Sequence, residues 1–147
     1  MRFPNLFLLL FIFSTGFILP AFAQTPSRPF QDEGTCTSGP TSGTGGGRKS
    51  CNGSVVWPDT DAERPSGKYA IDVNTVQVTT TDKRGSGSGC SAPTFTYEDV
   101  KVQVPGIGET NVRIATKVTV SYNARGSSGT GTRGRIACKI TGKYNSL

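Results

Sequence analysis

From Asn111 to Tyr144 the chain alternates apolar and polar residues with almost no slip. Val112, Ile114, Thr116, Val118, Val120 and Tyr122 share one parity, and Arg113, Ala115, Lys117, Thr119, Ser121 and Asn123 take the other. A second run repeats the pattern, with Ile136, Cys138, Ile140 and Tyr144 set against Arg135, Lys139, Thr141 and Lys143. Successive side chains of a strand point to opposite faces, so each run predicts a strand with one buried and one wet face. Together the two runs read as one long β-hairpin. Setting Tyr122 opposite Ile136 pairs Val120 with Cys138 and Val118 with Ile140.

The rest of the chain continues in the same idiom. Ser54 to Trp57 is a short apolar strand stopped by Pro58. Between Lys68 and Thr81, Tyr69, Ile71 and Val73 have odd parity while Val76 and Val78 have even parity, so a bulge or break is required at Asn74-Thr75. Thr94 to Val104 is another strand, followed by a turn at Pro105-Gly106-Ile107-Gly108. Val104 opposite Val112 is the preferred register here, because it faces Asp99 with Lys117 and keeps Lys101 away from Arg113. No segment carries a helical period. Six strands divided by Gly-rich turns predict an all-β fold, an antiparallel β-sandwich of about six strands, with a small β-barrel as the alternative.

The ends of the chain look different. Arg2, the apolar runs Leu6–Phe13 and Phe17–Leu19, and Ala21-Phe22-Ala23 have the layout of a secretory signal peptide over residues 1–23. With it cleaved, no transmembrane segment is expected. Pro26, Pro29 and Pro40 and the run Gly43 to Gly47 make 24–50 an irregular arm, leaving 51–147 as a single all-β domain. The chain has 16 basic and 10 acidic residues; losing Arg2 leaves 15 against 10, a net charge of +5. All four cysteines follow the leader, and an even number in an exported chain predicts disulfides. Cys36–Cys51 is favoured, because little else could order the Gly-rich segment between them; Cys90–Cys138 then follows. Zinc is disfavoured, since no two cysteines have ligand spacing and there is no histidine.

The missing histidine also removes the usual Ser-His and Cys-His nucleophile pairs. Glu98 and Asp99 are adjacent on a strand, so they face opposite ways and cannot flank one glycosidic bond unless a bulge intervenes. Asp59, Asp61 and Glu63 lack the further ligands and glycine of a calcium loop, and read as a solvated acidic loop. Asn52-Gly53-Ser54 matches a glycosylation acceptor but equally suits a turn. The Gly/Ser loops at 85–89 and 126–131 lack the context of a nucleotide-binding loop, so neither a nucleotide nor another cofactor is expected.

What remains is a surface. If the central run is a hairpin, Arg113, Lys117, Arg135, Lys139 and Lys143 share its wet face, joined by Lys101 from the preceding strand. Unbroken alternation would add Phe95 and Tyr97; a bulge at Glu98-Asp99 would instead turn both rings into the core. Cations, hydroxyls and aromatic rings on one face suit an acidic polysaccharide or another anionic surface. The expected function is therefore a secreted, non-catalytic binding domain. The alternatives are a structural or envelope-associated protein with a protein partner, and a small secreted hydrolase.

Overall fold

The computed structural model describes residues 26–40, 49–85, 87–126 and 133–147. The expected signal peptide therefore lies outside the described residues, as do 41–48 in the expected arm. Every regular element among them is a strand: β1 Ser27–Thr37, β2 Ser50–Trp57, β3 Tyr69–Arg84, β4 Gly89–Cys90, β5 Thr94–Val104, β6 Gly108–Arg125 and β7 Arg135–Ser146. They form two antiparallel sheets packed face to face, an open sandwich rather than a barrel. One has the order β1-β7-β3; in the other, β6 is flanked by β2 on one side and by β4 and β5 on the other.

The hairpin expected from residues 111–144 is not there. β6 and β7 are the central strands of different sheets, and they face one another across the core. Val118 and Val120 from one, and Ile136, Cys138 and Ile140 from the other, are all fully buried. The long connection from Gly126 to Gly134 lets the chain cross between sheets, where a two-residue turn would have forced the strands to pair. A strand facing its neighbour across a sandwich carries the same alternation as one paired beside it.

Two other expectations change. Ser27–Thr37, in the stretch expected to be irregular, is an 11-residue strand paired along its whole length with β7. Its inward positions are Phe30, Asp32, Gly34 and Cys36, only one of them a large apolar residue, so the period was hidden. Pro29 is tolerated because β1 is an edge strand. Residues 69–84 form one strand, not two, with the parity switch absorbed where the register jumps between Asp72 and Gln77. There the Thr75 hydroxyl accepts the Lys143 N–H at 2.9 Å, standing in for a ladder bond that the jump removes.

Trp57 joins the sheets. It extends from β2 into three aromatic rings of the other sheet, stacked on Phe30 (3.9 Å between centroids) and Tyr144 (5.4 Å), with Tyr69 edge-on at 6.1 Å. Phe30 reaches this position by lying across Gly142, its partner on β7: a Cβ there would sit 2.6 Å from the ring. Tyr122 does the same over Gly53, its partner on β2. Both disulfides, Cys36–Cys51 and Cys90–Cys138, form as expected, and each ties one sheet to the other.

Beyond the end of β2 the sandwich stops, but β5 and β6 continue as a two-stranded arm. Val104 pairs with Gly108 across Pro105-Gly106-Ile107; the Ile107 N–H donates to the Val104 carbonyl (3.1 Å), and Gly106 takes the positive φ of 81° that this turn needs. Asp99 therefore faces Arg113, not Lys117, and Lys101 faces Asn111. Keeping like charges apart was the right constraint, met by a tighter register.

Gly142→Val should push Phe30 off Trp57 and lower unfolding free energy by about 1–3 kcal/mol, the usual cost of overpacking. Urea denaturation would measure it, and parent-like stability would mean that the ring is free to move aside.

Candidate functional site

The expected basic face is divided by the topology. Arg135, Lys139 and Lys143 lie on the outside of the first sheet, and Lys117 on the outside of the second. Their neighbours differ as well. Arg135 is 3.0 Å from Asp82; Lys139 lies across from Glu33, and Lys143 across from Asp72. Lys101 and Arg113 are on the arm, where Lys101 is paired with Glu109 at 2.6 Å and the Arg113 guanidinium sits 5.4 Å from the centre of the Tyr97 ring.

The two aromatic candidates do not join Lys117. Phe95 pairs with Val118, whose side chain is buried, so its ring turns inward and packs against the core. Tyr97 has the same parity and remains exposed, 6.5 Å from Phe95. The register irregularity falls between Thr96 and Tyr97, with Thr116 the extra residue on β6, and not at Glu98-Asp99. Glu98 instead accepts a hydrogen bond from the Thr116 hydroxyl at 3.1 Å.

Other cations, which periodicity could not connect, do converge. The sandwich ends where β2 and β7 begin and β3 and β6 finish. At that end the backbone of Arg125 packs against Gly85 and Gly134, and the Gly126 N–H donates to the Lys49 carbonyl. Lys49, Lys83, Arg84, Arg125, Arg133 and Arg135 are thereby gathered, all exposed, with Asp82 the one acidic neighbour among the described residues of these strand ends. Ser88 fixes the strand ends internally: its hydroxyl donates to the Arg84 carbonyl (3.0 Å) and accepts the Arg125 N–H (3.2 Å). The tips of the Gly/Ser loops, Ser86 and 127–132, lie outside the described residues. The only sequence signal was the arginines bracketing these loops; their meeting depends on tertiary topology.

This end runs directly onto the outside of the second sheet. Arg125 pairs with Ser50, and Asn123 with Asn52 on one side and Gly89 on the other. Beside these rungs an open cleft of about 450 Å³ is lined by Asn52, Ser91, Ser121 and Asn123, together with Gly53 and Gly89. No acidic residue lies on this face from Arg125 to Lys117; Glu98 comes two residues beyond Thr96. The cleft thus offers carboxamide and hydroxyl groups, and the sheet end beside it offers cations.

The loop at the opposite end carries Asp59, Asp61 and Glu63 together with Arg64 and Lys68. The loop after β2 closes on itself, with the Asp59 N–H donating to Glu63 at 2.8 Å. Burial raises the carboxyl pKa of Asp32 above the ordinary 3.8, the Glu33 N–H opposes this, and Glu63 and Asp59 add to the rise. Burial also raises the Tyr69 hydroxyl, which donates to the Thr116 carbonyl at 2.8 Å. Among the described residues no cluster of three or more His, Cys, Asp or Glu side chains could hold a metal, and no helix is long and apolar enough to cross a membrane. Comparison with known proteins finds no matching family model, curated protein or solved structure.

A raised folded pKa means that Asp32 favours the folded state below its unfolded value and loses that contribution as pH rises through the folded value. Asp32→Asn should therefore be more stable than the parent at neutral pH. The difference should vanish below the ordinary carboxyl value of 3.8. Denaturation midpoints at the two pH values test this; a gain that persists in acid would point to another cause.

Proposed function

We propose that the protein is a secreted, non-catalytic β-domain that binds acidic polysaccharide. Its site is the basic end of the sandwich and the adjoining cleft on the second sheet. The observation that carries this reading is the gathering of six exposed cations from four strand ends around one aspartate, next to an acid-free surface of amides and hydroxyls. Cations attract carboxylate or sulfate groups over a range set by ionic strength. Asn52, Ser121 and Asn123 are suited to the hydroxyls of a sugar, which demand both donors and acceptors. Secretion is supported by the leader-like N-terminus and by four cysteines all engaged in disulfides. A binding rather than catalytic role is favoured because none of the cleft side chains Asn52, Ser91, Ser121 and Asn123 titrates near neutral pH.

Binding of the purified protein to immobilised acidic and neutral polysaccharides across a salt series tests the reading. Acidic polymers should retain the protein at low salt and release it as salt rises. Arg125→Glu should weaken retention roughly tenfold at low salt. Lys139→Glu, on the outside of the other sheet beside Glu33, should leave it unchanged. Equal losses in both variants would mean that net charge and not this site governs binding, and no retention at all would remove the proposal.

A further inference from the structure

The arm carries a second interaction surface that the polysaccharide reading does not use. β5 is 11 residues long, and among the described residues it pairs with no strand other than β6. Its outer edge is therefore an unpaired row of backbone donors and acceptors. The Lys101 carbonyl marks this edge: it accepts from Lys68 Nζ at 3.0 Å, a group that approaches from outside the β5–β6 ladder. Backbone groups alternate in direction along a paired strand, so the N–H and C=O of Asp99 and Gln103 turn the same way. Of the five exposed large hydrophobic residues among the described ones, Tyr97, Ile107 and Val112 are on the arm. Ile107 at its tip is 77% exposed, Val112 is 37% exposed, and Val100, Val102 and Val104 are only half-buried.

We infer that two copies of this chain pair through β5, antiparallel and edge to edge, about a two-fold axis at Val100. A second copy is the occupant selected by charge. In a two-fold antiparallel pair one residue must face itself, and the residues on either side of it face each other. Centring on Asp99 or Lys101 sets like charges in opposition, while centring on Val102 sets Lys101 against Gln103 and leaves Asp99 beyond Val104, at the turn. Centring on Val100 places Asp99 opposite Lys101 of the second copy, and Lys101 opposite its Asp99. Asp99 already faces Arg113, and Lys101 already contacts Glu109, so the signs alternate across all four strands of the joined arms. The same centre makes Asp99 and Lys101 the hydrogen-bonded rung, in agreement with the edge marked by the Lys101 carbonyl. Lys68 leaves that carbonyl on pairing and is replaced by a backbone N–H. The result is one continuous sheet through both copies.

Sedimentation of the full secreted chain over a concentration series, with engineered cysteines as a second measurement, tests the inference. The parent should dimerise reversibly. Lys101→Glu, which sets a glutamate opposite each Asp99, should weaken the dimer about tenfold. Val100→Cys should form an inter-chain disulfide under mild oxidation, because Val100 faces its own copy at close, non-hydrogen-bonded spacing. Val102→Cys, facing Glu98 of the second copy, should not. A parent that stays monomeric into the millimolar range would overturn the inference. So would a dimer that cross-links through Val102→Cys as readily as through Val100→Cys.

Discussion

The insertion of Trp57 between the sheets is the contact on which the architecture depends. It extends from the second sheet into the first and meets a ring from each of the first sheet's three strands: Phe30, Tyr69 and Tyr144. Aromatic pairs in such offset and edge-on arrangements contribute beyond the area they bury. The arrangement imposes conditions elsewhere. Phe30 can lie flat only because its neighbour on β7 is Gly142, and Tyr69 can be buried only because its hydroxyl finds the Thr116 carbonyl. A glycine that seems to interrupt the alternation of β7 is therefore required by a ring on the next strand.

Much of this fold was legible in the sequence. The alternation identified the inward residues of β7 and, from Val118 to Tyr122, of β6, but beyond the bulge at Thr116 it placed Val112 inside and Ala115 outside where the structure has the reverse. The disorderly parity at Asn74-Thr75 located the first of two irregularities in β3. The even cysteine count predicted disulfides, and the Gly-rich segment between Cys36 and Cys51 favoured, among three possible pairings, the one that the structure shows. What could not be read is which strand lies beside which. Alternation reports that a face is buried, not whether it is buried by a neighbour in the same sheet or by a sheet opposite. Everything built on the hairpin inherited that ambiguity, and so Lys117 and Lys139 came to lie on opposite outer surfaces. β1 was missed for a different reason: Gly34 and Cys36 occupy inward positions without contributing an apolar signal.

The same limit applies to the candidate site. Lys49, Lys83, Arg84, Arg125 and Arg133 are scattered over three regions of the chain, and none belongs to a periodic pattern that would connect them. They come together because four strands start or stop at one end of the sandwich, where Gly85 and Gly134 allow the backbones of β3, β6 and β7 to approach closely. The acidic residues Asp59, Asp61 and Glu63 fall on the loop at the far end, where Arg64 and Lys68 accompany them.

The pairing of β1 with β7 has a mechanical consequence. Ser27 lies beside Asn145 and Cys36 beside Ile136, so the two strands run antiparallel from one end of the sheet to the other. Tension applied between Ser27 and Asn145 would load these rungs one at a time, as in a zipper, rather than all together in shear. Peeling would release about 30 Å of chain before it reached Cys36. There the bond to Cys51 passes the load to the other sheet, and extension stops. The first disulfide thus acts as a limit stop: the edge strand can yield under force and take Phe30 with it, while Cys36 stays bonded to the other sheet.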